Sequence, residues 1–320
     1  MNLPPPKPPE STAHTLAGIE IGGTKLQIVL GRPGHIAHRQ RFTVKPEAGG
    51  HGIREQLTAT LPALLREHPV RALGVGFGGP VDWQRGIIRC SHQVPGWADF
   101  PLADWLRHLT HLPVQIENDA NTAALAEARL GAGQGANPVF YVTLGSGVGG
   151  GLVVNEQIYH GALPGEAEIG HLRLNREGLI VEHRCSGWAV DKRIRELRSR
   201  GLTGPWAALL AQFKQTGGEA RTLAPALAAG DEDARRLLHE VADDLAFALS
   251  HVVHLCHPAV IVLGGGLSLV GEPLRATVAA RLPAYVMEAF HPVPAVRLAA
   301  WQEDAVPMGA LLLAAQTPSH

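Results

Sequence analysis

Apolar residues along this chain follow two periods. Short, nearly continuous apolar runs predict strands over residues 16–21, 26–31, 35–42, 72–77, 114–117, 139–144, 151–154 and 260–263. Longer segments with apolar residues every three or four positions predict helices over residues 52–68, 102–110, 121–130, 189–200, 231–256 and 274–290. In the first of these, Ile53, Leu57, Leu61, Leu64 and Leu65 form one stripe; Leu237, Leu238, Val241, Leu245, Leu249, Val252 and Val253 do the same in the fifth. The order is strand, strand, strand, helix, strand, helix, and then the theme repeats. Such an order predicts an α/β protein with a mixed sheet flanked by helices, built twice. A last apolar stretch from Val306 predicts a helix over residues 305–320 that packs back on the first half.

Composition narrows the class. A chain of 320 residues is long enough for two cores. With 28 basic and 29 acidic residues it carries no electrostatic footprint for nucleic acid or a membrane surface. Cys90, Cys185 and Cys256 are too few and too scattered for a disulfide framework. No apolar run approaches the ~20 residues of a membrane span, and a cytoplasmic location is expected. Residues 1–16 are proline-rich, with five prolines in the first ten positions, and predict a disordered tail.

Two glycine turns carry the candidate chemistry. The first lies in Gly18-Ile-Glu20-Ile-Gly22-Gly23-Thr24-Lys25, and the second in Thr143-Leu-Gly145-Ser146-Gly147-Val-Gly-Gly-Gly151. Each joins two apolar runs, and glycine amides can approach an anion closely. Together they could grip one polyphosphate from opposite sides. Between them lies Glu117-Asn118-Asp119-Ala-Asn121, a carboxylate cluster ahead of an alanine-rich helix. By spacing, Gly74-x-Gly76-x-x-Gly79 and Gly145-x-Gly147-x-x-Gly150 also satisfy a dinucleotide fingerprint. Neither opens a predicted helix, as that fingerprint requires.

GIEIGGTK, GVGFGGPVD, IENDANTAALAEARLGAG, TLGSGVGGGLVV, GEAEIGHL and VIVLGGG, in this order, resemble the ROK family of sugar kinases and kinase-derived repressors. The resemblance runs from Gly18 nearly to the C-terminus. It implies a two-lobed actin-like ATPase (ribonuclease-H-like) fold, with a small lobe over residues 17–117 and a large lobe over residues 118–304. It further implies ATP and Mg2+, a hexose substrate, and a homodimer.

Phosphoryl transfer needs positioned phosphates, charge neutralisation and a base near the attacking hydroxyl. By resemblance Asp119 is that base, and a helix starting at Asn121 would hold its carboxylate ionised. Capping of that helix is the competing role for Asn118 or Asp119. The resemblance places Gly22, Gly23, Thr24 and Lys25, together with Thr143, Gly145, Ser146 and Gly147, on the phosphates. Gly264, Gly265 and Gly266 would lie on the nucleotide's adenosine side. Glu20, where many members carry Asp, would hold hydrated magnesium through water. Asn118, Glu168, His171 and Glu182 would bind the sugar.

One departure stands out. Members of the family usually follow EIGH with three cysteines that complete a tetrahedral zinc site with its histidine. Here the loop is shortened and only Cys185 remains nearby, so no family-type structural zinc is expected. His171, His183 and Cys185 are three mixed residues without a fourth, and whether they bind a metal stays open. His251, His254, Cys256 and His257, at a helix C-terminus, read as structural.

The expected activity is ATP-dependent phosphorylation of a hexose, glucose first. Fructokinase, mannokinase and N-acetylhexosamine kinase activities are the alternatives within the family. A sugar-responsive transcriptional regulator and an inactive sugar-binding protein are the readings of another class. The first is disfavoured by the short segment ahead of the first strand, the second by the intact Asp119.

Overall fold

The computed structural model describes residues 15–317 apart from His92, Pro164 and Glu166, so the expected proline-rich tail lies almost wholly outside the described residues. The first half runs β1 (Leu16–Ile21), β2 (Lys25–Arg32), β3 (His35–Thr43), α1 (Gly49–Glu67), β4 (Leu73–Phe77), β5 (Val81–Asp82), β6 (Ile87–Ile88), α2 (Leu102–Thr110) and β7 (Val114–Asn118). Next come α3 (Asp119–Leu130), β8 (Val139–Leu144), β9 (Val148–Val154), β10 (Gln157–Ile158), α4 (Glu182–Cys185) and α5 (Gly187–Ser199). The chain continues through α6 (Gly204–Gln212), α7 (Leu223–Ala228), α8 (Glu232–Cys256), β11 (Val260–Gly264), α9 (Glu272–Arg281), β12 (Ala295–Leu298) and α10 (Ala305–Ala315).

Two five-stranded sheets form, in the orders β3-β2-β1-β4-β7 and β10-β9-β8-β11-β12. In both, the first three strands pair antiparallel and the last two join in parallel. The repeated order of elements is therefore a repeated topology. The sheets are small, mixed and flanked by helices.

Each sheet buries its outer face against helices of its own half. Ile19, Ile21, Val75 and Phe77 pack with the α1 stripe Ile53, Leu57 and Leu61 and with Leu102 and Leu106 of α2. Phe140, Val142, Ile261 and Leu263 pack with Leu238, Val241, Leu245 and Leu249 of α8. Between the sheets lie α3 and α10, in contact with each other. α3 rests on β8 and β9, and α10 on β1 and β4. Their approach is close enough to demand glycine. A Cβ at Gly309 would lie 1.8 Å from the Thr122 carbonyl oxygen, and one at Gly74 would lie 1.9 Å from that of Ala310.

Several boundaries differ from expectation: α10 ends at Ala315 rather than residue 320, and β9 begins at Val148 rather than Gly151. The helix expected over residues 274–290 stops at Arg281, followed by 3-10 turns at Leu282–Tyr285 and Glu288–Phe290. Pro283, with no N–H to donate and a ring that crowds the preceding turn, explains the break. α3 starts at Asp119 rather than Asn121, because Asn118 supplies the cap. Short elements such as β5, β6, β10 and β12 carry too few residues for a readable period. Among the described residues no helix is long and apolar enough to cross a membrane.

Candidate active site

Asp119 sits where the two halves meet. It is the first residue of α3, directly after the end of β7, so backbone geometry alone fixes its position. Asn118 is the N-cap: its Oδ1 accepts from Ala120 N at 2.8 Å and Asn121 N at 3.2 Å, and its Nδ2 donates to Gly79 O at 3.2 Å. The capping role thus falls to Asn118, and the Asp119 carboxylate is left with Oδ1 accepting from Ala120 N at 2.8 Å. A Cβ on Gly78 would come within 3.4 Å of Asp119 Oδ2 and 3.5 Å of Gly22 Cα, so the first glycine turn and the carboxylate share one corner.

Burial pushes the Asp119 carboxyl up to about 7, helped by the charges of Glu20 and Glu168. The hydrogen bond from Ala120 pulls the other way and loses. This corrects the expectation that the helix terminus keeps the group ionised: desolvation outweighs the terminus here. The charges of Glu20 and Glu168 thus both bear on Asp119.

The first turn is closed by Gly22 N donating to Lys25 O at 2.9 Å. Lys25 Nζ reaches Glu20 Oε1 at 3.1 Å, and the Gln27 amide donates to Glu20 Oε2. Burial raises the Glu20 pKa while Lys25 and Gln27 oppose it. A buried carboxylate leaning on a lysine and an amide has the chemistry to meet a hydrated divalent cation.

The second turn is closed by Gly145 N donating to Gly147 O at 2.9 Å, and Gly187 N donates to Gly145 O at 2.7 Å. Val148 N donates to Glu182 Oε2 at 2.9 Å, and a Cβ on Gly147 would lie 2.4 Å from that oxygen. Glu182, expected on the sugar, thus has one oxygen on the second turn. Thr143 is register partner to Gly264 on β11, and Gly265, at φ +79°, packs on the Leu144 backbone. Gly266 faces open space. The structure therefore brings Gly264–Gly266 beside the second turn.

Glu168 precedes and His171 ends the 3-10 turn Ile169–His171, both exposed. A Cβ on Gly170 would lie 2.0 Å from Val148 O, and one on Gly150 would lie 2.5 Å from Ala167 O. These contacts seat the segment directly on the start of β9. Ala120 Cβ would lie 3.3 Å from a Cβ on Gly149, which puts the start of α3 against the same strand.

Cys185 does not join His171 or His183. Its Sγ donates to Val241 O at 3.6 Å inside the second core, and burial pushes its pKa well above the usual thiol value. Both histidines are exposed, and among the described residues no group of three or more His, Cys, Asp or Glu could hold a metal. His254 and His257, at the C-terminal end of α8, are exposed but make contacts within the protein: His257 stacks on Phe290 at 4.4 Å, and Met287 N donates to His254 Nε2 at 3.1 Å.

Residues that the pattern of the sequence did not single out also meet here. Gln93 lies against Gly23 and donates from Nε2 to Ser146 Oγ at 2.7 Å. Glu117, next to the cap, is 3% exposed and faces His160. Gln93 had no motif to announce it, and Glu117, though inside the carboxylate cluster, had no visible partner, since each acts through a contact between distant segments.

The ROK family profile matches residues 16–317, essentially the whole described chain. The chain belongs to the ROK family. A ROK relative, the glucokinase of Halalkalibacterium halodurans, is 31% identical over 309 residues, spanning 91% of this chain and 92% of that one. The N-acetylmannosamine kinase of Shigella flexneri is equally 31% identical over 301 residues, spanning 94% and 98%. Among solved structures, a ROK glucokinase from Streptomyces griseus in complex with glucose and AMPPNP aligns with a TM-score of 0.84 at 29% identity. That alignment covers 95% of this chain and 100% of that one. The fold is the actin-like ATPase fold of ROK proteins.

Proposed function

We propose that this chain transfers the γ-phosphoryl group of ATP to a hexose hydroxyl, with glucose as first substrate and Asp119 as general base. The observation that carries the reading is the placement of a desolvated carboxylate, held near pH 7, in one corner with the first glycine turn, beside the strand that leaves the second. A base with that pKa is matched to taking a proton at neutral pH.

In this reading the sugar hydroxyl gives its proton to Asp119 as its oxygen forms a bond to the γ-phosphorus. The bond from that phosphorus to the β–γ bridging oxygen breaks, and ADP leaves. Amides of Gly23 and Thr24 in the first turn and of Ser146 and Gly147 in the second hold the phosphate oxygens, with Lys25 released from Glu20 to add its charge. Magnesium on the triphosphate, held by Glu20 through water, would neutralise phosphate charge. Asn118, Glu168, His171 and Glu182 orient the hexose.

A coupled assay of ADP release against glucose, fructose, mannose, N-acetylglucosamine and N-acetylmannosamine tests the reading. Hexose-dependent turnover that vanishes in Asp119→Asn is expected; no turnover with any of the five sugars sinks it. The matching identity to an N-acetylmannosamine kinase favours the N-acetylated hexosamines as second reading.

A further inference from the structure

We infer that His160, held by Glu117 and covered by Trp83, is a positioning residue for sugar binding, fixing the segment of Glu168 and His171 onto the strand end of Asn118 and Asp119. The inference rests on the hexose kinase reading.

Three segments distant in sequence meet at one imidazole. Glu117, on β7, uses Oε1 to accept from Asn118 N at 2.8 Å and from Asn121 Nδ2 at 3.2 Å. Its Oε2 faces His160 Nε2 at 2.5 Å. The His160 side chain is only 16% exposed, and the Trp83 indole stacks on it at 4.1 Å between ring centroids, with 17° between planes. Trp83 directly follows β5, at the end of the Gly78–Asp82 stretch. None of these three side chains has a part in the phosphoryl transfer described above.

Each side of the contact leads to sugar ligands. Glu117 precedes Asn118 and Asp119 and braces the cap that sets their direction. On the other side the chain curls back over His160: Gly165 has φ +57°, and a Cβ there would lie 2.3 Å from His160 O. Ala167 then rests on Gly150, and Glu168 and His171 follow. One contact thus ties together the two groups that must close around a single hexose.

The physics favours a firm tie. A carboxylate this buried needs its partners, because an unpaired one keeps its desolvation cost. The indole over the ring keeps water from competing for the contact. Ligands on a loop hold their geometry only when supported from behind, and small misplacements are felt in binding and rate.

The test compares His160→Ala, His160→Gln and Glu117→Gln by steady-state kinetics, with thermal unfolding alongside. In His160→Ala the KM for hexose is expected to rise about ten- to a hundredfold, while the KM for ATP changes by less than about twofold. His160→Gln, which keeps an N–H donor for Glu117, should recover most of the loss. Glu117→Gln should raise the hexose KM as well. An unchanged hexose KM in His160→Ala overturns the inference. So does a parallel rise of both KM values with a lower Tm, which would mark a contact that only holds the fold. If wild-type protein phosphorylates no hexose, the kinase reading falls, and glucose affinity of the same variants by calorimetry decides the inference on the same terms. A protein that neither binds nor phosphorylates a hexose overturns both.

Discussion

Gln93 Nε2 donates to Ser146 Oγ at 2.7 Å, and the same side chain lies against Gly23. One glutamine therefore spans the two glycine turns, which belong to different sheets. In the proposed function a triphosphate gripped by both turns would displace this bond.

Removing that bond should loosen the cleft. In Gln93→Ala without ligand, amide exchange in the Gly22–Thr24 and Gly145–Val148 segments should speed up about five- to tenfold, the worth of one hydrogen bond. Saturating hexose should restore protection, as sugar contacts close the two halves on their own. Exchange equal to wild type would mean that α3 and α10 alone set the closure.

Much of this site was legible because glycine turns and an Asn-Asp pair before a helix are local patterns. Asn118 capping α3 and Asp119 opening it follow from residue types at adjacent positions. The doubled sheet was legible from the order of periods. What could not be read were contacts joining separate segments: Gln93 with Ser146, Glu117 with His160, Glu182 with Val148. The charge state of Asp119 escaped for a related reason. A helix start is visible in sequence, but the burial that overrides it, and the charges of Glu20 and Glu168 that add to it, come from the packing of distant segments.

The glycines between α3 and α10 make a stability prediction. A side chain at Gly309 would meet a backbone carbonyl at 1.8 Å, which cannot swing aside as a flexible side chain could. Gly309→Ala should cost about 1–3 kcal/mol by overpacking and lower the Tm by several degrees. Thermal unfolding checks this; an unchanged Tm would show that the two helices part without cost.

Metal content follows from Cys185. Its thiol is buried against Val241 O and kept protonated, so it is a poor metal ligand. Purified protein should hold less than one equivalent of zinc by elemental analysis, and chelation followed by magnesium should restore full activity. Stoichiometric zinc whose removal unfolds the chain would show that other ligands have taken over.

Asp119→Asn should lower kcat by about 10²–10⁴-fold while sugar affinity stays close to wild type, since the shape is kept and the proton acceptor is lost. Near-normal turnover with the best hexose would exclude Asp119 as the base.

The same carboxylate links activity and stability to pH. Burial pushes the Asp119 carboxyl up to about 7, from 3.8 for the free side chain. The base must be ionised, so kcat/KM should fall about tenfold per pH unit below 7, which a pH profile reads directly. Stability runs the other way. The folded protein binds this proton more tightly than the unfolded chain, so the group's contribution is fully present below pH 3.8 and is lost as pH rises through 7. At pH 8 wild type carries a desolvated negative charge between Glu20 and Glu168, and at pH 5 it does not. Asp119→Asn, neutral throughout, should therefore unfold at a higher temperature than wild type at pH 8, by an amount on the order of a few kcal/mol in stability. At pH 5 the gap should be clearly smaller, and it should close only below pH 3.8. A stabilisation equal at both pH values would mean that the gain comes from packing, and that the Asp119 carboxyl is not the group titrating near 7.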